Sequence, residues 1–250
     1  MKDWKQIIEK PSQENLSRVG SKNWQNFLDQ GSRIGISLIE QMKVYLRGSL
    51  KDKKILDFGC GIGRVFLPLT FDAGLSIVGC DIDATAVSYL KKVVPNNNLV
   101  VNKFSPPLTF EDNFFDAVYS ISIWTHLSIH MQFLWLEEIR RILKPGGIAL
   151  ISVAGHNSLR LRHQRGMAMW QDINAKNLVN NGAIYKEYLS LNTHPEKFPG
   201  VKASYGSCLH DPEYIRQKWS NYFNVLEIKE AYIDGSQDLV VMNLSFTSDK

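Results

Sequence analysis

Residues 55–64 read ILDFGCGIGR. An apolar run reaches an aspartate, Asp57, and glycines follow at every second position: Gly59, Gly61 and Gly63. Such a stretch turns sharply from an extended segment towards a helix, because glycine tolerates the crowded or left-handed backbone of the turn. Absent side chains also let a ligand lie against the main chain, and the helix that follows offers free N–H groups. Alone, the loop serves equally as a tight turn with no ligand.

The pattern around the loop sets the fold class. Short apolar runs at 53–58, 76–81, 99–104, 115–121 and 148–153 alternate with helical segments at 64–71, 84–94 and 130–143. Pro95 ends the second of these helices and KPGG breaks the third. This alternation predicts an α/β, Rossmann-like, doubly wound and mostly parallel sheet of seven strands. The closing runs, 224–230 and 238–246, are close enough in sequence to form an antiparallel C-terminal hairpin on the sheet edge. Before the sheet, residues 1–50 read as an N-terminal helical cap of two amphipathic helices interrupted near Gly31, followed by the main domain, 51–250. After the fifth strand the alternation stops, and 156–207 reads as a helical insertion in which Trp170 and Tyr185 supply apolar matter for a lid.

The loop's spacing narrows its ligand. A dinucleotide fingerprint requires a third glycine at position 64, which is Arg64, and the GK[ST] of a phosphate loop is absent. An aspartate facing the loop repels a pyrophosphate and suits a ligand with an ammonium group and no phosphate, such as S-adenosylmethionine. Asp81 ends the second strand 22 residues after Gly59, a spacing suited to a ribose diol, while Asp83 is placed to cap the next helix. With these residues the chain resembles the class I S-adenosylmethionine-dependent methyltransferases. PPLTFEDNFFDAVYSISIWTHLS and WLEEIRRILKPGGIALIS resemble that superfamily's fourth- and fifth-strand motifs. PPL, THL and QDLVVM are similar to a bacterial subgroup often found beside glycosyltransferases. The match covers 51–155 well and 205–246 loosely. The resemblance implies a cofactor site of Asp57, Gly59, Cys60, Gly61, Arg64, Asp81, Ile82, Phe104, Ser105 and Ser120, with Ile82 on the adenine face and Phe104–Ser105 at its edge.

Methyl transfer to a hydroxyl calls for a base, and histidine is the usual one. His126, in SIWTHLS after the fourth strand, and His210, in YGSCLHDPEY, are the two candidates. A buried histidine that fixes a loop is the alternative for His126, and a cap or surface loop for His210. Trp124 is expected on the pocket wall, and His156 and Asn157 follow the fifth strand at the same opening. Arg160, Arg162 and Arg165 read first as a solvated helix face and second as a grip for an anionic substrate.

Composition removes other classes. The net charge of +4 is spread along the chain with no basic stripe, so nucleic acid is an unlikely partner. No run nears the ~18 apolar residues of a membrane span. Three cysteines without a CxxC pair, and no secretory apolar core at the N-terminus, lead us to expect a cytoplasmic protein without zinc. No carboxylate cluster suggests a catalytic metal, and SISI stands where N-methyltransferases of amides and nucleobases carry Asn-Pro-Pro-Tyr. The sequence thus leads to a small-molecule methyltransferase, with a hydroxyl as acceptor. A tRNA methyltransferase and a non-catalytic cofactor-binding module are the competing readings.

Overall fold

The computed structural model describes residues 4–95, 98–188 and 205–245. Residues 189–204 of the expected insertion, and Phe246 of the expected last strand, lie outside the described residues. The chain divides into two compact units, Met1–Asn102 and Lys103–Lys250.

The first unit holds helices α1 (Trp4–Ile7), α2 (Gln13–Arg18) and α3 (Trp24–Leu46), then β1 (Ile55–Phe58), α4 (Phe66–Phe71), β2 (Ile77–Asp81), α5 (Ala84–Val93) and β3 (Leu99–Val101). Its strands are parallel in the order β3-β2-β1, with Ile55 opposite Ile77 and Gly79 opposite Leu99. Every β1 residue is buried, as in a strand covered on both faces. Asp83 caps α5 as expected, its carboxylate accepting from the N–H groups of Thr85 and Ala86.

The expected break near Gly31 does not occur. Helix α3 runs 23 residues without interruption from its Asn23 cap. Glycine in a helix interior costs about 1 kcal/mol relative to alanine, which is why it read as a breaker. Its reason is tertiary: a Cβ on Gly31 would collide with the backbone carbonyl of Arg64, so glycine lets the helix lie against the loop after β1.

The second unit holds β4 (Phe115–Ser120), α6 (Ile129–Ile142), β5 (Leu143–Val153), α7 (His156–Gln164), α8 (Ala175–Asn181), β6 (Ala183–Glu187), β7 (Gly206–His210), α9 (Pro212–Trp219), β8 (Asn224–Ile233) and β9 (Gln237–Asn243). Its main strand order is β4-β5-β9-β8, with β4 and β5 parallel and the β9 pairings antiparallel. Seven strands in all, mostly parallel with an antiparallel C-terminal hairpin, give the α/β class that the alternation predicts.

Two local expectations are corrected. KPGG ends α6 as expected, but the fifth strand starts at Leu143 and not at Ile148: α6 passes straight into β5, whose register with β4 shifts between Phe115 opposite Leu143 and Ala117 opposite Ile148. The insertion is not wholly helical either. β6 and β7 form a separate antiparallel ribbon, Tyr185 opposite Cys208, beside a small core of Ala154, Leu159, Trp170, Leu178 and Leu209.

Candidate functional site

In the first unit the loop after β1 is built by main-chain bonds. Gly59 and Cys60 both donate N–H bonds to the Cys80 carbonyl, at 2.8 and 3.0 Å. All three loop glycines have positive φ, 85° at Gly59, 52° at Gly61 and 89° at Gly63, so conformation alone requires glycine. Asp81 closes the loop: one carboxylate oxygen accepts the Gly61 N–H at 2.7 Å and the other the Asp83 N–H at 2.8 Å. Burial pushes this carboxyl above its ordinary value, with the Asp83 and Gly61 bonds acting the other way. Asp57 is buried one strand over and Ile82 is half-buried. Burial, then the charges of Asp81 and Asp57, raise the Cys60 thiol, so it stands neutral in the loop.

A strap of N-terminal residues, not foreseen in the sequence, crosses this loop. Arg64, expected at the cofactor, donates from Nη1 to the Val19 carbonyl at 2.5 Å. Val19 Cγ1 lies 3.3 Å from where a Gly61 Cβ would stand. Arg18 pairs with Asp83 at 2.7 Å, Tyr89 Oη donates to the Glu9 carbonyl at 2.7 Å, and Trp4 Nε1 to Asp72 at 2.6 Å. These partners stand 45–80 residues apart, so no local pattern announces them.

In the second unit Phe104 is half-buried, Ser105 exposed, and Ser120 fully buried at the end of β4. Beyond Ser120 the chain is strained: Ser122 has φ 65°. A closed ring of bonds holds it. Ser122 N donates to Ser152 Oγ at 2.7 Å, Ser152 Oγ to Gln237 Oε1 at 2.7 Å, and Gln237 Nε2 to Ser122 Oγ at 2.9 Å. Trp124, expected on the pocket wall, is instead fully buried and meets Trp219 edge-on. His156 and Asn157 are engaged with Asp211 and with the Gly235 carbonyl, respectively.

His126 is half-buried and tightly placed. Its carbonyl accepts from Gly206 N–H at 3.2 Å, its Nδ1 lies 2.9 Å from the Gly206 carbonyl, and its ring stacks on Tyr205 at 4.8 Å. A carbonyl only accepts, so Nδ1 carries the proton and Nε2 keeps its lone pair. Burial lowers the ring's pKa, the Gly206 bond opposes this, and the Arg162 charge adds to the lowering. The imidazole is therefore neutral at neutral pH, with the tautomer of a proton acceptor.

His210 stands elsewhere than expected. It is not in a rim loop but on β7, with no solvent exposure. Its Nε2 meets Gln132 Oε1 at 2.8 Å, and Gln132 in turn donates to the carbonyls of Trp124 and Leu127. The signal missed was Gln132, a polar residue on the apolar face of α6. Burial pushes His210 down to about 3. The unfolded chain, with an ordinary value of about 6.5, therefore binds the proton first. The associated stability is complete above about pH 6.5 and is lost as pH falls towards the folded value. At pH 5.5 the loss relative to pH 7.5 should be about 1.4 kcal/mol. Urea denaturation of wild type and His210→Gln at both pH values checks this. The variant should lack that increment, and equal slopes would remove the assignment.

Among the described residues no group of three or more His, Cys, Asp or Glu is placed to hold a metal, and no helix is long and apolar enough to cross a membrane.

Comparison with known proteins joins these features. The methyltransferase domain family matches residues 56–151. The 2-methyl-6-phytyl-1,4-hydroquinone methyltransferase of Synechocystis sp. is 32% identical over 102 residues, 39% of this chain and 31% of that one. The tRNA N(3)-cytidine methyltransferase of Gallus gallus is 27% identical over 133 residues, 49% of this chain and 36% of that one. The chain thus spans less than half the length of these curated relatives. In fold it is similar to magnesium protoporphyrin IX methyltransferase from Synechocystis PCC 6803 with bound SAH, at TM-score 0.58 and 14% identity over 93% of this chain and 94% of that one. Residues 56–151 are thus similar to the methyltransferase domain family, and the fold is similar to that of a methyltransferase with bound SAH.

Proposed function

We propose that the chain transfers a methyl group from S-adenosylmethionine to a hydroxyl of a small-molecule acceptor. The observation that carries the reading is the Asp81 carboxylate closing a loop of positive-φ glycines. Each carboxylate oxygen has capacity beyond the one N–H it accepts, so Asp81 can also take a ribose diol. With Asp57 buried beside it, the donor set suits a cationic, hydroxyl-bearing ligand and disfavours a pyrophosphate.

When bound, S-adenosylmethionine supplies an electrophilic methyl on a positively charged sulfur that leaves as a neutral thioether. His126 Nε2 would then take the proton of the acceptor hydroxyl, the Nδ1–H remaining on the Gly206 carbonyl. The Gly206 bond keeps the ring oriented and favours the imidazolium that forms. The ring of Ser122, Ser152 and Gln237 fixes the strand end from which the His126 loop departs.

Calorimetric titration of the purified protein with S-adenosylmethionine, S-adenosylhomocysteine and NAD tests the cofactor. The first two should bind and NAD should not, and the reverse result overturns the assignment. A panel of small hydroxyl compounds beside unmodified tRNA tests the acceptor. Methylation of the tRNA alone would sink the small-molecule reading.

A further inference from the structure

The two arginines of α7 and the one at its C-cap do not share one environment. Arg160 is exposed and donates to Asn157 Oδ1, and Arg165 is exposed. Arg162 turns inward. Its guanidinium lies over the fully buried Trp170 ring, 4.6 Å from the centroid, and Nη1 is buried without a hydrogen-bond partner among the described residues. A second cation on Trp170, Lys186, is neutralised by Asp172 at 2.6 Å, whereas Arg162 has no such carboxylate among the described residues.

A guanidinium N–H removed from water and left unpaired is destabilising, and proteins seldom keep one without a role. The tryptophan face satisfies the flat side of the group and holds it still, but leaves the edge, where N–H bonds are made, unserved. Half-buried aromatics bear on this charge: Tyr188 is among the groups that act on Arg162, and Arg162 acts in turn on His126, whose ring stacks on Tyr205. Tyr188 and Tyr205 lie 6.0 Å apart, so an aromatic wall runs from the proton acceptor towards the cation.

We propose that Arg162 is the anchor for an oxyanion, a carboxylate or phosphate, carried by the acceptor whose hydroxyl meets His126. Planar oxyanions match the guanidinium edge with two parallel bonds, and a water-poor setting strengthens them. The inference rests on the methyltransferase reading for the hydroxyl but not for the anion.

Benzoate, phenyl phosphate and neutral benzamide, at matched ionic strength, are the probes. At tenfold excess over Kd, benzoate or phenyl phosphate should raise the melting temperature of the wild type by about 3–6 °C, and benzamide should not. The anion that acts tells carboxylate from phosphate. Arg162→Met keeps the contact with Trp170, removes the unpaired charge, and should melt no lower than wild type while losing the response. Arg162→Lys should keep a reduced response. Wild type that is indifferent to both anions, a benzamide effect as large as theirs, or an undiminished response in Arg162→Met overturns the proposal. If Arg162→Met does not fold, the wild-type and Arg162→Lys arms still decide. S-adenosylhomocysteine titrated into the same samples separates the two failures. Its binding without an anion response rejects only the anchor, and an anion response without its binding rejects only the methyltransferase reading.

Discussion

Replacing His126 with alanine should lower turnover about 10²–10⁴-fold while S-adenosylmethionine affinity stays near wild type. The reasoning is tautomeric. Gly206 fixes the proton on Nδ1, so Nε2 is the nitrogen able to receive another. The main-chain bond from Gly206 N–H to the His126 carbonyl survives the substitution, so the loop keeps its principal tie to β7. The wild-type rate should rise with pH as the ring deprotonates. Because burial lowers its pKa, the midpoint should fall below the ordinary value of about 6.5. The variant should lose this limb. Steady-state rates across pH 4.5–8 for both proteins, on whichever hydroxyl compound proves to be methylated, provide the measurement. A variant that retains both rate and limb returns His126 to a structural role, in which its Gly206 and Tyr205 contacts merely hold the loop.

Asp81→Ala should weaken S-adenosylmethionine binding by about 1.5–3 kcal/mol, or roughly 10–150-fold. Two losses combine. The charge-assisted bonds to the ribose vanish, and the Gly61 and Asp83 N–H groups lose the acceptors that shape the loop and the start of α5. Asp81→Asn separates them, since one amide oxygen can still accept one of the two bonds, and should fall between. Calorimetry gives the affinities and circular dichroism shows whether the fold is kept. Unchanged affinity in folded Asp81→Ala protein would remove this carboxylate from the site.

The sequence made some of this legible and hid the rest for identifiable reasons. The glycine loop, the strand ends and the Asp83 cap are local, written within a few residues of where they act. Gly31 was misread because a helix breaker and a close-contact glycine look alike until the facing Arg64 carbonyl is known. β7 was missed because its five residues are all buried and show no alternation, and its partner, β6, is described well over a dozen residues earlier in the chain. His210 sits beside a proline-started helix, which suggests an exposed cap. Its interior position is settled by Gln132, 78 residues away. The Ser122 ring joins residues separated by 30, 85 and 115 positions, beyond the reach of any spacing argument.

The strap over the glycine loop also orders events during synthesis. Residues 4–19 emerge early, yet their ties are to Arg64, Asp72, Asp83 and Tyr89. None of these tethers can form until the strand-loop-helix unit that bears them has been made. At about 5–20 residues per second, the early segment waits several seconds, its Trp4 ring uncovered. It is translated before its partners and is among the last in its unit to find a place. A stall between Arg64 and Tyr89 would therefore leave this earlier-made segment the least protected part of its unit, exposed to proteases and chaperones alike.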